Sequence, residues 1–173
     1  FILNSPMNTQ LLIELCEATG LPGHEGPVRE IIKRLFSEFT DEITEDAMGN
    51  VIAHVPGDGP RLVVDAHMDE VGFMITHADD AGMLHFVIVG SIDDRVLPAK
   101  RVLVGQNRVP GVIAIKPVHK TTPEERTRVV KADQLVIDIG ARNKSEAEGA
   151  VKKGDYGVFA TRFRDLGDTV SGK

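Results

Sequence analysis

Between Val71 and Arg164 the chain presents six short apolar runs, VGFMITHA, MLHFVIVG, RVLVG, GVIAIK, QLVIDIGA and YGVFATRF, separated by turn signals such as Asp79-Asp80-Ala81-Gly82. Runs of this length, rich in β-branched residues and bounded by breakers, read as strands, and a series of them reads as a compact all-β module. One helical signal interrupts the series. Ser145, with Glu148 three residues later, has the spacing of a capping box that opens a short helix to about Val151. The polar stretch from His119 to Asp133 reads as an exposed loop or flap.

The residues before this module have a different texture. Leu11, Leu12 and Leu15 recur at helical spacing, with Asn8 or Thr9 as cap and Gly20 as stop. A second helix starts near Pro27 and carries an apolar stripe of Val28, Ile31, Ile32, Leu35, Phe36 and Phe39. A hairpin follows, Ile43 to Asp46 and Val51 to Val55 around Met48-Gly49-Asn50, and then the run Arg61 to Ala66, RLVVDA, whose continuous apolar centre suits a buried strand. The six residues before Met7 show no periodicity and are set aside.

Composition narrows the function classes. With 20 Lys+Arg against 26 Asp+Glu the net charge is −6, which argues against a nucleic-acid partner. No apolar run approaches the roughly 20 residues of a spanning helix, and the start lacks a signal-peptide pattern, so no membrane partner and a cytoplasmic location are the expectations. Cys16 is the one cysteine, which excludes an intrachain disulfide framework.

The chemistry concentrates at the end of RLVVDA, in Asp65-Ala66-His67-Met68-Asp69-Glu70-Val71-Gly72. On an extended backbone residues i and i+2 share a side, so His67 and Asp69 project together. A neutral imidazole is a good ligand for a divalent ion, and a nearby carboxylate can fix its orientation and tautomer. Asp65 and Glu70, which flank the pair, read as structural or surface carboxylates. His24 and Glu25 read as a helix entry, and Asp93-Asp94-Arg95 as a turn with a local salt bridge.

A longer register extends beyond this triplet. PGHEGPVR before the second helix, Asp46, Gly49, Asn50 and Val51 in the hairpin, DAHMDEVGF, Lys116-Pro117-Val118-His119, Ile137-Asp138-Ile139-Gly140-Ala141, Gly154-Asp155 and Ser171-Gly172-Lys173 occur in order. Together they resemble the dinuclear metallo-aminopeptidases of the tetrahedral (TET), deblocking and glutamyl aminopeptidase type, from about Leu11 onward. Some members of that family are also labelled endoglucanases, although nothing in the sequence singles out the two flanking carboxylates a glycosidase needs.

The resemblance implies an α/β fold. Residues 1–70 would begin a catalytic domain with a parallel-containing central sheet, residues 71–164 would form an inserted β-rich, barrel-like dimerisation domain, and residues 165–173 would return to the catalytic domain. It further implies His67 as a metal ligand, Asp69 as the catalytic carboxylate that supports it, and two divalent ions, zinc or cobalt, in a complete site. The reaction implied is release of N-terminal amino acids from peptides by metal-activated water. The family's bridging aspartate, further ligands and general base follow the segment matching Ser171-Gly172-Lys173, so residues 1–173 alone are expected to be inactive. The implied partners are peptide substrates and copies of the same chain, in dimers and in a large, often twelve-subunit shell. The alternative is a non-catalytic oligomerisation or interaction module of the same fold.

Overall fold

A computed structural model describes residues 9–173. Asn8, one of the two cap candidates, and the six residues before Met7 lie outside the described residues. The chain divides into two compact units, one made of the residues up to Glu70 together with Arg162–Lys173, the other of Val71–Thr161.

In the first unit α1 spans Thr9–Glu17 and α2 spans Gly26–Phe36. Pro27 sits in the first turn of α2, where its missing N–H removes no helical bond. Val28 is buried and Ile31, Ile32, Leu35 and Phe36 are half-buried along one face. Phe39, expected in that stripe, lies past the helix end and is exposed. Strands β1 (Ile43–Glu45) and β2 (Val51–Ala53) form an antiparallel hairpin. Asp46 turns the chain between them by accepting hydrogen bonds from Met48 N and Asn50 N at 2.9 and 3.0 Å, while Gly49 takes φ +85°, open to a residue without Cβ. From α2, Arg29 Nε donates to Gly49 O at 2.9 Å, and Lys33 bonds Glu45 and holds its carboxyl below the usual range.

The RLVVDA run departs from expectation. It forms no strand, and Leu62, Val63 and Val64 are each 86% exposed. A strand exists only through its ladder neighbours, and among the described residues nothing pairs with this segment. Every ladder among the described residues is antiparallel, so the parallel-containing sheet is likewise not formed within them.

The second unit is the β module read from the sequence, and it closes into a barrel. Its strands are β3 (Gly72–Ala78), β4 (Leu84–Val89), β5 (Arg101–Val104), β6 (Val109–Ala114), β7 (Val136–Asp138) and β8 (Tyr156–Phe159), in the order β3-β4-β7-β6-β5-β8 with β8 returning to β3. Side chains alternate as the pleat requires. Phe73 and Ile75 of β3, Leu84 and Phe86 of β4, Val102 and Val104 of β5, Ile113 and Ile137 are buried, whereas Met74, Val87 and Val112 face outward. Phe73 anchors the interior. Its ring meets those of Phe86 and Phe159 edge to face, each at 5.1 Å between centroids.

Between β7 and β8 lies α4 (Lys144–Ala150), whose Ala147 is fully buried. Its cap is Asn143, whose side chain accepts from Glu146 N at 3.0 Å, rather than Ser145. The charged stretch 119–133 is largely exposed, as expected, but contains a short helix α3 (Pro123–Arg126) closed by a Thr122–Glu125 capping box. The chain re-enters the first unit through a small hairpin, β9 (Arg164–Asp165) with β10 (Val170–Ser171).

Candidate functional site

The extended segment after Val64 ends in a tight local arrangement. His67 Nδ1 lies 3.0 Å from Asp69 Oδ1 and 3.1 Å from Asp69 O. Both neighbours are pure acceptors, so Nδ1 carries the proton and donates it. In the neutral ring Nε2 then keeps its lone pair, and the imidazole is 85% exposed, with that edge free to face a ligand. The structure thus brings together the two residues singled out in sequence, although the segment that carries them is not a strand.

Glu70 is structural. Its backbone N donates to Gly20 O at 2.6 Å, and its Oε1 accepts from Gly20 N at 3.2 Å and from Lys173 Nζ at 2.7 Å. Gly20 is required by this packing. A Cβ there would stand 2.9 Å from Met68 O and 2.8 Å from Val28 Cγ2. Gly172 runs equally close to α1, since a Cβ on it would come within 2.7 Å of Cys16 Sγ. Cys16 is half-buried there.

Other charged candidates resolve into local structure. Glu25 precedes α2, accepts from Gly23 N at 2.7 Å and faces Arg29 at 3.7 Å, a helix-entry role. Arg95 grips Asp93 through Nε at 2.9 Å, and this bond, together with the backbone N of Arg95, lowers the Asp93 carboxyl to about 2. Asp94 bonds Lys131 Nζ at 2.9 Å and Ala132 N at 3.1 Å, tying the end of the exposed stretch to the turn before β5.

For a divalent ion, the donor chemistry of His67 with Asp69 fits one ligand position, a histidine held by a carboxylate. Among the described residues there is no group of three or more His, Cys, Asp or Glu side chains placed to complete a site. No helix among them is long and apolar enough to cross a membrane.

A mixed α/β unit whose chain leaves into a closed β barrel and returns, with a carboxylate-held histidine four residues before the exit, has the architecture of a metallopeptidase domain with an inserted barrel. Residues 49–173 match the family model for M42 glutamyl aminopeptidase, and the chain belongs to that family. FrvX of Escherichia coli (strain K12) is 37% identical over 172 residues, 96% of this chain and 48% of its own length. The TET aminopeptidase of the marine sediment archaeon Thaumarchaeota archaeon SCGC AB-539-E09 superposes with a TM-score of 0.86 at 36% identity, over 92% of this chain and 46% of its own. The TET1 peptidase of Pyrococcus horikoshii, described as assembling into a tetrahedron or a large octahedral shell, superposes with a TM-score of 0.83 at 37% identity, over 94% of this chain and 50% of its own. The chain therefore spans about half the length of the relatives it matches.

Proposed function

We propose that this chain contributes one part of the active site of a metal-dependent aminopeptidase that releases N-terminal amino acids from peptides. The observation that carries the reading is the His67–Asp69 pair, in which Nδ1 donates to Asp69 Oδ1 at 3.0 Å and the imidazole is 85% exposed. His67 is the metal ligand in this reading. Asp69 acts through it, accepting the Nδ1–H bond and fixing the ring plane and tautomer. Divalent ions bound there, two in a complete site and zinc or cobalt as the family resemblance implies, would supply Lewis acidity toward the scissile carbonyl and water. In this reading the bridging aspartate, remaining ligands and general base come from sequence after the segment matching Ser171-Gly172-Lys173, as the family resemblance implies. Residues 1–173 alone are accordingly proposed to be catalytically silent.

The inserted barrel is proposed to mediate homo-oligomer contacts, first dimers and then a shell, a reading supported by the assembly described for the TET1 peptidase. A cytoplasmic location completes the proposal. The test is hydrolysis of aminoacyl chromogenic substrates by the full-length protein supplied with Zn²⁺ or Co²⁺. Loss of turnover and of metal uptake in His67→Ala is expected, and full activity of that variant overturns the assignment.

A further inference from the structure

We infer that Glu70, Lys173 and Gly20 form a positioning clasp that holds the His67–Asp69 segment in its ligand-ready form; the inference rests on the proposed metal-ligand role of His67. Glu70 is the last residue before the barrel insertion and Lys173 lies beyond the returning β9–β10 hairpin, so 103 positions separate two side chains that meet at 2.7 Å. The pair is sheltered, with 14% of the Lys173 side chain and 22% of the Glu70 side chain exposed. A partly desolvated ion pair of this kind is screened less than a surface pair.

The same carboxylate reaches Gly20. Glu70 and Gly20 exchange two hydrogen bonds, N to O at 2.6 Å and N to Oε1 at 3.2 Å, and Gly20 also abuts the Met68 carbonyl. The peptide between His67 and Asp69 is thus backed by Gly20, and Gly20 is held by Glu70, whose remaining charge is met by Lys173. His67 itself touches only Asp69 in the hydrogen bonds that fix its ring. Its orientation therefore depends on the backbone of residues 68–70, which the clasp fixes from behind. Glu70 and Lys173 touch no reacting group and act through the backbone of this segment.

The test compares Lys173→Met, Lys173→Arg and Glu70→Gln with the wild type in the full-length protein, thermal midpoints being recorded to establish that each is folded. Two readouts need no metal: exchange of the Glu70 amide hydrogen, and the ¹⁵N shifts of the neutral His67 ring, which report the tautomer. Lys173→Met is expected to speed exchange at Glu70 at least tenfold and to turn His67 from the Nδ1–H form to a mixture, with Lys173→Arg behaving as wild type. A third readout, titration with Co²⁺ alone, is expected to show affinity reduced about 10- to 100-fold in Lys173→Met, the range seen when a metal-supporting partner is removed. If Lys173→Met does not fold, Glu70→Gln, which keeps an oxygen for Gly20 N, carries the same comparison. Unchanged exchange and an unchanged tautomer in a folded variant overturn the clasp. Movement of both signals in a protein whose wild type takes up no Co²⁺ supports the clasp and overturns the metal reading instead.

Discussion

Asp69 Oδ1 accepts a hydrogen bond from His67 Nδ1 at 3.0 Å, and the imidazole is otherwise 85% exposed. Removing the carboxylate frees the ring to rotate and to change tautomer. Asp69→Ala should lower the affinity of the full-length protein for Co²⁺ about 10- to 100-fold, whereas His67→Ala should remove that binding step altogether. Calorimetric titration distinguishes the two, and equal affinities in wild type and Asp69→Ala would exclude a supporting role for the carboxylate.

Two glycines should respond in opposite directions. Gly20→Ala forces a methyl against the Met68 carbonyl and Val28, at a cost of about 1–3 kcal/mol. Gly149, inside α4, has open space around the same position, and Gly149→Ala should stabilise by about 0.4–1 kcal/mol through the unfolded chain. Urea unfolding of both variants measures the difference in sign.

The barrel interior depends on Phe73, fully buried between Phe86 and Phe159. Phe73→Ala should cost about 3–5 kcal/mol, the transfer term plus an unfilled cavity. Thermal unfolding followed by near-ultraviolet dichroism should show the loss, and a midpoint unchanged from wild type would contradict this packing.

Asp93 supplies a pH signature. Its carboxyl is lowered from 3.8 to about 2 by the Arg95 side chain and backbone, so the bonds it makes favour the folded turn fully above pH 3.8. That contribution is lost as the pH falls through about 2. An NMR titration of the Asp93 carboxyl carbon should therefore give a midpoint near 2 in the wild type and a value closer to the ordinary 3.8 in Arg95→Gln.

The exposed run Leu62 to Val64 should be insensitive to polarity within residues 1–173. With each side chain 86% exposed, Leu62→Ser and Val64→Ser should change stability by no more than about 0.5 kcal/mol. A chemical denaturation curve displaced by several kcal/mol would show that the run is packed.

Local signals were legible in the amino-acid sequence and long-range ones were not. The six β runs, the hairpin around Gly49 and the helix behind Pro27 are each written in residues a few positions apart, and each is found. The cap of α4 misled because Asn143-x-x-Glu146 and Ser145-x-x-Glu148 offer the same spacing two residues apart, and only the helix start decides between them. RLVVDA misled for a deeper reason. An apolar run marks a segment that can be buried, but burial is conferred by neighbours that its own letters do not contain. His67 and Asp69 were found because the period of an extended chain already places them together. Glu70 reads from sequence as a structural or surface carboxylate, and its partner Lys173, which makes it structural, is too remote in sequence to be read there.

The barrel order carries a consequence for how the polypeptide is made. β3 is the first strand of the module to leave the ribosome, yet one of its two neighbours is β8, the last. A β3–β4 hairpin can form early, but the ring has no stable closed state until Phe159 has emerged, so the nascent module holds open strand edges for most of its synthesis. Such a topology folds slowly and late, because the loop-closure entropy is met before the final ladder rewards it. A translational pause just after β8 would give the ring time to shut before the chain goes on.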